Sequence, residues 1–105
     1  MTVLIDKNNA KATATIPTKE ASNYIGKLCR HFRHKIDAEY TASTGMATFP
    51  FGTCAMTATP DRLVFDITAA DSESVAKIKG VIERHLLKFS YKEDLTIRWQ
   101  DAGGG

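Results

Sequence analysis

Apolar residues follow a two-residue period in some parts of this chain and a helical period in others. Alternation of apolar and polar residues predicts strands with one buried face at residues 10–16, 36–42, 63–67 and 95–99. Helical spacing predicts two helices, with apolar stripes at residues 21–32 and 75–89. Thr18 would cap the first helix, and Asp71 or Ser72 the second. Every element therefore has one face to bury, which restricts how the elements can be layered.

The apolar phase changes in the middle of the chain. Ala47, Phe49 and Phe51 share one parity, whereas Cys54, Met56 and Ala58 share the other. The break at residues 51–53 predicts either a tight turn between two short strands or a glycine bulge in one long strand. Turn-forming residues also occupy positions 43–45 and 59–61. Three or four strands are therefore expected between the two helices.

The order strand, helix, three or four strands, helix, strand predicts an α+β fold. Short turns between consecutive strands favour antiparallel pairing, and two one-striped helices can share one face of such a sheet. A chain of 105 residues has the length of a single domain, so we expect one domain spanning residues 1–105. Its core would lie at about residues 10–100, with flexible ends at residues 1–9 and 101–105.

Composition argues against several functional classes. The net charge of +2, from 14 Lys and Arg against 12 Asp and Glu, does not favour a nucleic-acid partner. No apolar run is long enough to span a membrane, and the first ten residues lack the continuous apolar stretch of a secretory signal. We therefore expect a cytoplasmic protein with no membrane partner. Its two cysteines are expected to be free thiols.

Residues 28–35, with the sequence LCRHFRHK, hold the densest set of reactive side chains. At about 100° per residue, His31 and His34 project about 60° apart, close enough to share one ligand. His31, His34 and the adjacent Lys35 are therefore candidates for binding a phosphate or carboxylate group. The alternative is that these basic residues only complement the negative end of the helix.

A second candidate set consists of soft metal ligands. Cys29 projects about 160° away from His31, so these two cannot chelate one ion within a single helix. His85 lies at the edge of the second apolar stripe and would approach His31 or Cys54 if the helices pack side by side. Cys29, His31, Cys54 and His85 would then form a nitrogen and sulfur set suited to zinc, iron or copper. Residues in such positions are more often core or boundary residues than ligands, which is the alternative explanation.

Three ordered segments resemble a small bacterial family, the domain of unknown function 2218. They are LCRHFRHK at 28–35, FPFGTC at 49–54 and RHLLKF at 84–89, and residues 95–99 follow them. The resemblance runs from about Ala10 to Trp99. It implies a stand-alone domain with no assigned activity and an α+β architecture like that of the TATA-binding protein.

A looser similarity is to the amino-terminal region of some bacterial siderophore-interacting proteins. Cys29 with His31, and His85 with Phe89, match positions of that region. His34 falls one position short of the comparable histidine. This similarity implies an accessory part in iron–siderophore handling.

The leading hypothesis for function is a non-enzymatic domain that binds a metal, a metal chelate or an anion. It would use the helix end that carries His31, His34 and Lys35, joined by Cys54 and His85. One alternative is a structural or interaction module without a ligand site, whose exposed sheet edge pairs with a partner or with a second copy in a homodimer. The other is an enzyme with a cysteine thiolate and a histidine base that acts on an acidic substrate. No residue is assigned as catalytic, and no cofactor is identified.

Overall fold

Six strands and two helices make up residues 10–90 and 93–102, the part of the chain that this computed structural model describes. In chain order they are β1 (Ala10–Pro17), α1 (Ala21–Phe32), β2 (Asp37–Tyr40), β3 (Thr44–Phe49), β4 (Gly52–Thr59), β5 (Arg62–Ala69), α2 (Ser72–Phe89) and β6 (Trp99–Ala102). Four strands therefore separate the two helices. Of the flexible ends predicted at residues 1–9 and 101–105, residues 1–9 and 103–105 lie outside the described residues.

All six strands form one antiparallel sheet with the order β2-β3-β4-β5-β1-β6. Strands β2 to β5 form a meander, and β1 then pairs with β5 on the inside of the sheet. The predicted α+β class with an antiparallel sheet is confirmed, whereas the finer likeness to the TATA-binding protein stays a prediction. The two sheet edges are the four-residue strands β2 and β6, and self-pairing through an edge also stays a prediction.

One face of the sheet carries the core. Residues of even number in β1 and β4 and of odd number in β3 and β5 point to this face, and they include Ile16, Met56 and Phe65, each at most 1% exposed. Both helices press their apolar stripes onto the same face and join one continuous cluster of buried residues. The two helices therefore lie on one face of the sheet, as the sequence predicts. No helix in the described residues is long and apolar enough to cross a membrane.

The break in apolar phase is a tight turn. Phe49 pairs with Gly52, so only Pro50 and Phe51 connect β3 to β4. A Cβ atom on Gly52 would lie 2.7 Å from the carbonyl oxygen of Thr68 on the neighbouring strand. The close approach of these two backbones therefore requires glycine at this position. Of the two alternatives that the sequence left open, the turn is the one present.

The caps of the two helices differ from each other. Asp71 caps α2, because its carboxylate accepts a hydrogen bond of 2.8 Å from the backbone N–H of Ser74. The predicted cap of α1 is wrong: the helix begins after Glu20, and no side chain caps it. The Thr18 hydroxyl instead accepts a hydrogen bond from the Glu20 backbone and donates one of 2.8 Å to the carboxylate of Glu93.

The last strand begins later than predicted. Residues 95–98 lie outside any strand, although Leu95 and Ile97 are half-buried against the core. Strand β6 starts at Trp99, whose indole N–H donates a hydrogen bond of 2.6 Å to Glu83 of α2. Asp101 lies 2.6 Å from the ammonium group of Lys79. Polar contacts with α2 thus hold β6 in the sheet. One of the contacting residues, Asp101, was predicted to belong to a flexible end.

Strand β2 is also shorter than the predicted strand of residues 36–42. It ends at Tyr40, because the Thr41 hydroxyl accepts hydrogen bonds from the backbone N–H groups of Ser43 and Thr44. Such a side-chain bond stabilises a turn in place of further strand pairing.

Two glycine substitutions should change stability in opposite directions. Gly80 lies inside α2, and a Cβ atom there would meet nothing within 4 Å, so Gly80→Ala should stabilise the protein by about 0.5–1 kcal/mol. A Cβ atom on Gly45 would lie 2.8 Å from a methyl group of the buried Ile25, so Gly45→Ala should destabilise it by about 1–3 kcal/mol. Urea unfolding of both variants would measure the two free energies. Equal effects of the two substitutions would contradict this packing.

Candidate functional site

His31 and His85 contact each other across the two helices. His31 lies in the last turn of α1 and is exposed, whereas His85 lies on α2 and is half-buried. Their ring centroids are 4.6 Å apart with the planes tilted by 46°. Phe89, one turn after His85, lies 5.9 Å from the ring of His31, and Phe32 lies 5.3 Å from that of His85. Side-by-side packing on one sheet face thus brings together two histidines that are far apart in the sequence.

One hydrogen bond fixes the orientation of His85. Its Nδ1 atom lies 2.7 Å from the backbone carbonyl oxygen of Val81, one turn earlier in α2. A carbonyl oxygen can only accept a hydrogen bond, so Nδ1 carries the proton. The Nε2 atom of the neutral ring is then left with a lone pair for a proton or a ligand.

The groups that act on His31 electrostatically are all basic. Besides His85 they are His34, whose ring centroid lies 6.3 Å away, and the ammonium groups of Lys35 and Lys88. We call His31, His34, Lys35, His85 and Lys88 the histidine cluster. Partial loss of solvent around the packed ring, followed by these positive charges, lowers the pKa of His31.

None of these five residues takes part in an ion pair within the described chain. The ion pairs found there are Arg62 with Asp61 and Lys79 with Asp101. Within the part of the chain that the structure describes, no carboxylate therefore compensates the positive charge of the histidine cluster.

Both cysteines lie in the core and not in the histidine cluster. Cys29 and Cys54 are each 0% exposed and are free thiols. Burial raises the pKa of each thiol, most strongly that of Cys54. Cys29 packs against β3, where a Cβ atom on Gly45 would lie 3.2 Å from its sulfur. The prediction that Cys54 joins the ligand-binding residues is not supported, because Cys54 has no exposed surface.

The four-residue metal site is not assembled either. Among residues 10–90 and 93–102, no group of three or more His, Cys, Asp or Glu side chains is placed to hold a metal ion. His31 and His85 come together, but Cys29 and Cys54 point into the packed interior. The same burial argues against the alternative of a cysteine nucleophile, because that chemistry needs an accessible thiolate.

The structure also shows a polar network that the sequence analysis missed. Glu93 accepts hydrogen bonds from the hydroxyl groups of Thr18 and Tyr24. Both donors are buried, at 6% and 4% exposure. These partners lie 75 and 69 positions away in the chain, and no local pattern connects them. Only knowledge of which parts of the chain pack together could have indicated that these side chains meet.

Comparison with known proteins places the chain in a family. The family described as "Uncharacterized protein conserved in bacteria (DUF2218)" matches residues 13–100. The chain belongs to this family. The NMR structure of PA4090 from Pseudomonas aeruginosa is similar at 31% sequence identity and a TM-score of 0.74, covering 86% of this chain and 94% of that chain. Among the curated proteins, no match is found. The family resemblance seen in the sequence segments is therefore confirmed.

Both thiols should resist alkylation in the native protein. Because Cys29 and Cys54 are fully buried and their pKa values are raised, iodoacetamide should label them on the order of a hundredfold more slowly than in denaturant. Mass spectrometry of quenched samples at mildly alkaline pH measures both rates. Native labelling at the rate of a free thiol would contradict the placement of that cysteine.

Stability should fall on acidification, in part because of His31. Its pKa is lowered in the folded protein, so the unfolded chain binds more protons, and folding free energy is lost as pH falls below about 6.5. His31→Gln should remove this part of the loss, and Lys88→Gln should reduce it, since Lys88 is one of the repelling charges. Thermal unfolding at about pH 5 to 8 measures the effect. Lys11→Gln on β1 is the control, and the same relief from that variant would refute the assignment.

Proposed function

We propose that the protein is a non-enzymatic binding domain whose ligand carries a phosphate or carboxylate group. The histidine cluster is the binding site. The observation that carries the proposal is the contact of His31 with His85, which brings basic residues of α1, of the turn after it and of α2 to one place. Loss of solvent and then the neighbouring positive charges lower the pKa of His31, and an anion there would offset those charges.

The donors of the cluster suit an oxyanion. A protonated imidazole and an ammonium group both make charge-assisted hydrogen bonds to phosphate or carboxylate oxygens. The bond from Nδ1 of His85 to the Val81 carbonyl directs Nε2 away from the helix backbone. The half-buried position of His85 and the neighbouring ring of Phe89 reduce competition by water. These features favour an anion at the meeting of the two helices over one at an ordinary exposed lysine.

Anion binding is coupled to proton binding in this proposal. The pKa of His31 is lowered in the free protein, so the ring is mainly neutral near pH 7. A bound anion favours imidazolium and raises that pKa, and linkage then requires affinity to rise as pH falls. The ligand would therefore be held more tightly in mildly acidic than in alkaline solution.

A metal ion fits the cluster less well than an anion does. The two contacting imidazoles supply two ligands, whereas a structural zinc site uses four and a catalytic one three. Zinc and ferric citrate are therefore comparison ligands in the test. Ferric citrate presents carboxylates and iron together. It therefore also tests the role in iron–siderophore handling that the sequence similarity implies.

Titration of the protein with sulfate and with inorganic phosphate tests the proposal. Sulfate keeps its charge at about pH 5 to 8, so any pH dependence of its affinity reports protonation of the protein. Nuclear magnetic resonance shifts of the imidazole C–H groups locate the site. We expect the shifts at His31 and His85, affinity that increases toward acid pH, and roughly five- to tenfold weaker binding in His31→Gln and in Lys88→Gln.

The control variants distinguish binding at a defined site from a general attraction of anions to a positively charged protein. Lys11→Gln removes one positive charge from β1 and should leave sulfate affinity nearly unchanged. Equal weakening by Lys11→Gln and Lys88→Gln would mean that the anion responds to net charge alone, and the proposal would then be wrong. If zinc binds more tightly than any anion and shifts the resonances of the same two histidines, the ligand of the site is a metal ion and not an anion.

A further inference from the structure

A cavity of about 460 Å³ adjoins the histidine cluster. It lies between the first turns of α1 and the segment that follows α2. Its lining includes Lys19, Asn23, Tyr24, Lys27, Phe89 and Glu93. The volume falls within the range of small-molecule sites in proteins. The histidine cluster does not account for the charged side chains that line this cavity, and it does not account for the burial of Tyr24.

The cavity and the cluster share one groove. Phe89 lines the cavity and also contacts the ring of His31. Lys27 lines the cavity too and lies four residues before His31, on the same side of α1. The contacts of His31 with His85 and of Tyr24 with Glu93 show that the two segments run in opposite directions beside each other. A ligand in the histidine cluster can therefore extend over Phe89 into the cavity.

The far end of the cavity presents a fixed carboxylate. Glu93 accepts hydrogen bonds from the Thr18 hydroxyl at 2.8 and 3.1 Å, and from the Tyr24 hydroxyl. Burial, the hydrogen bond to Glu93 and the charge of Glu93 raise the pKa of Tyr24, so its hydroxyl group remains a donor at physiological pH. Two hydroxyl protons reach this carboxylate, and that of Thr18 is shared between Oε1 and Oε2, so its roughly four acceptor positions are not all used. Among residues 10–90 and 93–102, Oε2 accepts only the shared Thr18 proton, which leaves it able to accept from a donor in the cavity.

Charge in this groove is arranged by sign. The histidine cluster and Lys27 are basic at one end. At the other end the oriented carboxylate of Glu93 and the carboxylate of Glu20 outnumber the single ammonium group of Lys19, so that end is acidic. Asn23 also lines the cavity, and its side-chain amide can supply a second acceptor oxygen. An anion alone would satisfy only the basic end. A ligand with a negative and a positive group would satisfy both ends without burying an unpaired charge.

We propose that the groove takes a zwitterionic ligand, with its anionic group in the histidine cluster and a primary ammonium group on Glu93 and Asn23. Phe89 forms the wall between the two ends and packs against the linking carbons. The proposal rests on the anion-binding function above and adds the second half of the ligand. An aminoalkyl phosphate has this chemistry, either free or as the headgroup of a lipid.

Matched pairs of compounds test the inference. Aminoalkyl phosphates with about two, four and six carbons are compared with alkyl phosphates of the same lengths, so that each pair differs by one ammonium group. We expect the ammonium group to improve affinity by about tenfold at the best length. Glu93→Gln should abolish that gain while leaving the affinity for inorganic phosphate unchanged. Asp94→Asn, which removes an exposed charge beside Glu93, should keep the gain.

Each outcome separates this inference from the proposed function. If inorganic phosphate binds but the ammonium group adds nothing at any length, the zwitterion is ruled out and the anion site stands. If inorganic phosphate does not bind, both proposals fail. Should Glu93→Gln unfold the protein, Asn23→Leu, which removes the second acceptor, must reduce the gain. Binding to phosphatidylcholine vesicles only when they contain phosphatidylethanolamine would assign the group to a lipid headgroup, and binding of the free compounds alone would assign it to a soluble ligand.

Discussion

Burial of a single sheet face is the constraint on which the rest of this structure depends. All six strands lie in one antiparallel sheet, and the apolar residues of its inner strands point to the same side. Both helices cover that side, because their apolar stripes need an apolar surface and the described strands present one there. Two helices on one face lie next to each other, and the contact between His31 and His85 follows from that arrangement.

The features with a strong period could be predicted from the sequence. Alternation placed the strand residues, and the helical stripes placed the two helices on a common face, so that a meeting of His85 with His31 could be anticipated. The same alternation also contained the answer for Cys54, which shares its parity with Met56 and therefore points into the core. The metal hypothesis gave more weight to the chemistry of the thiol than to its position in the strand.

The remaining features depend on contacts between distant residues, which a single sequence does not reveal. Thr18 has the right chemistry for a helix cap, yet its hydroxyl bonds to Glu93, 75 positions away. The last strand shifted for a similar reason, since Trp99 donates a hydrogen bond to α2 and Asp101 accepts one from it. The periodicity at residues 95–99 reflects only partial burial. In both places a polar contact in the folded structure overrides a local preference.

Repulsion within the histidine cluster destabilises the fold that brings its residues together. Packing the two helices together removes solvent from His31 and brings like charges to one place, and both effects lower the pKa of His31. An alternative with an acid at one of these positions would give an ion pair between the helices and avoid the conflict. Local conflicts of this kind, held in place by a well-packed core, are typical of sites that act on something outside the chain. The net charge of +2 conceals the conflict, because it sums charges over the whole chain, whereas no described carboxylate forms an ion pair with the histidine cluster. A ligand in the groove would respond to the separation of charge along the groove more than to the total charge of the protein.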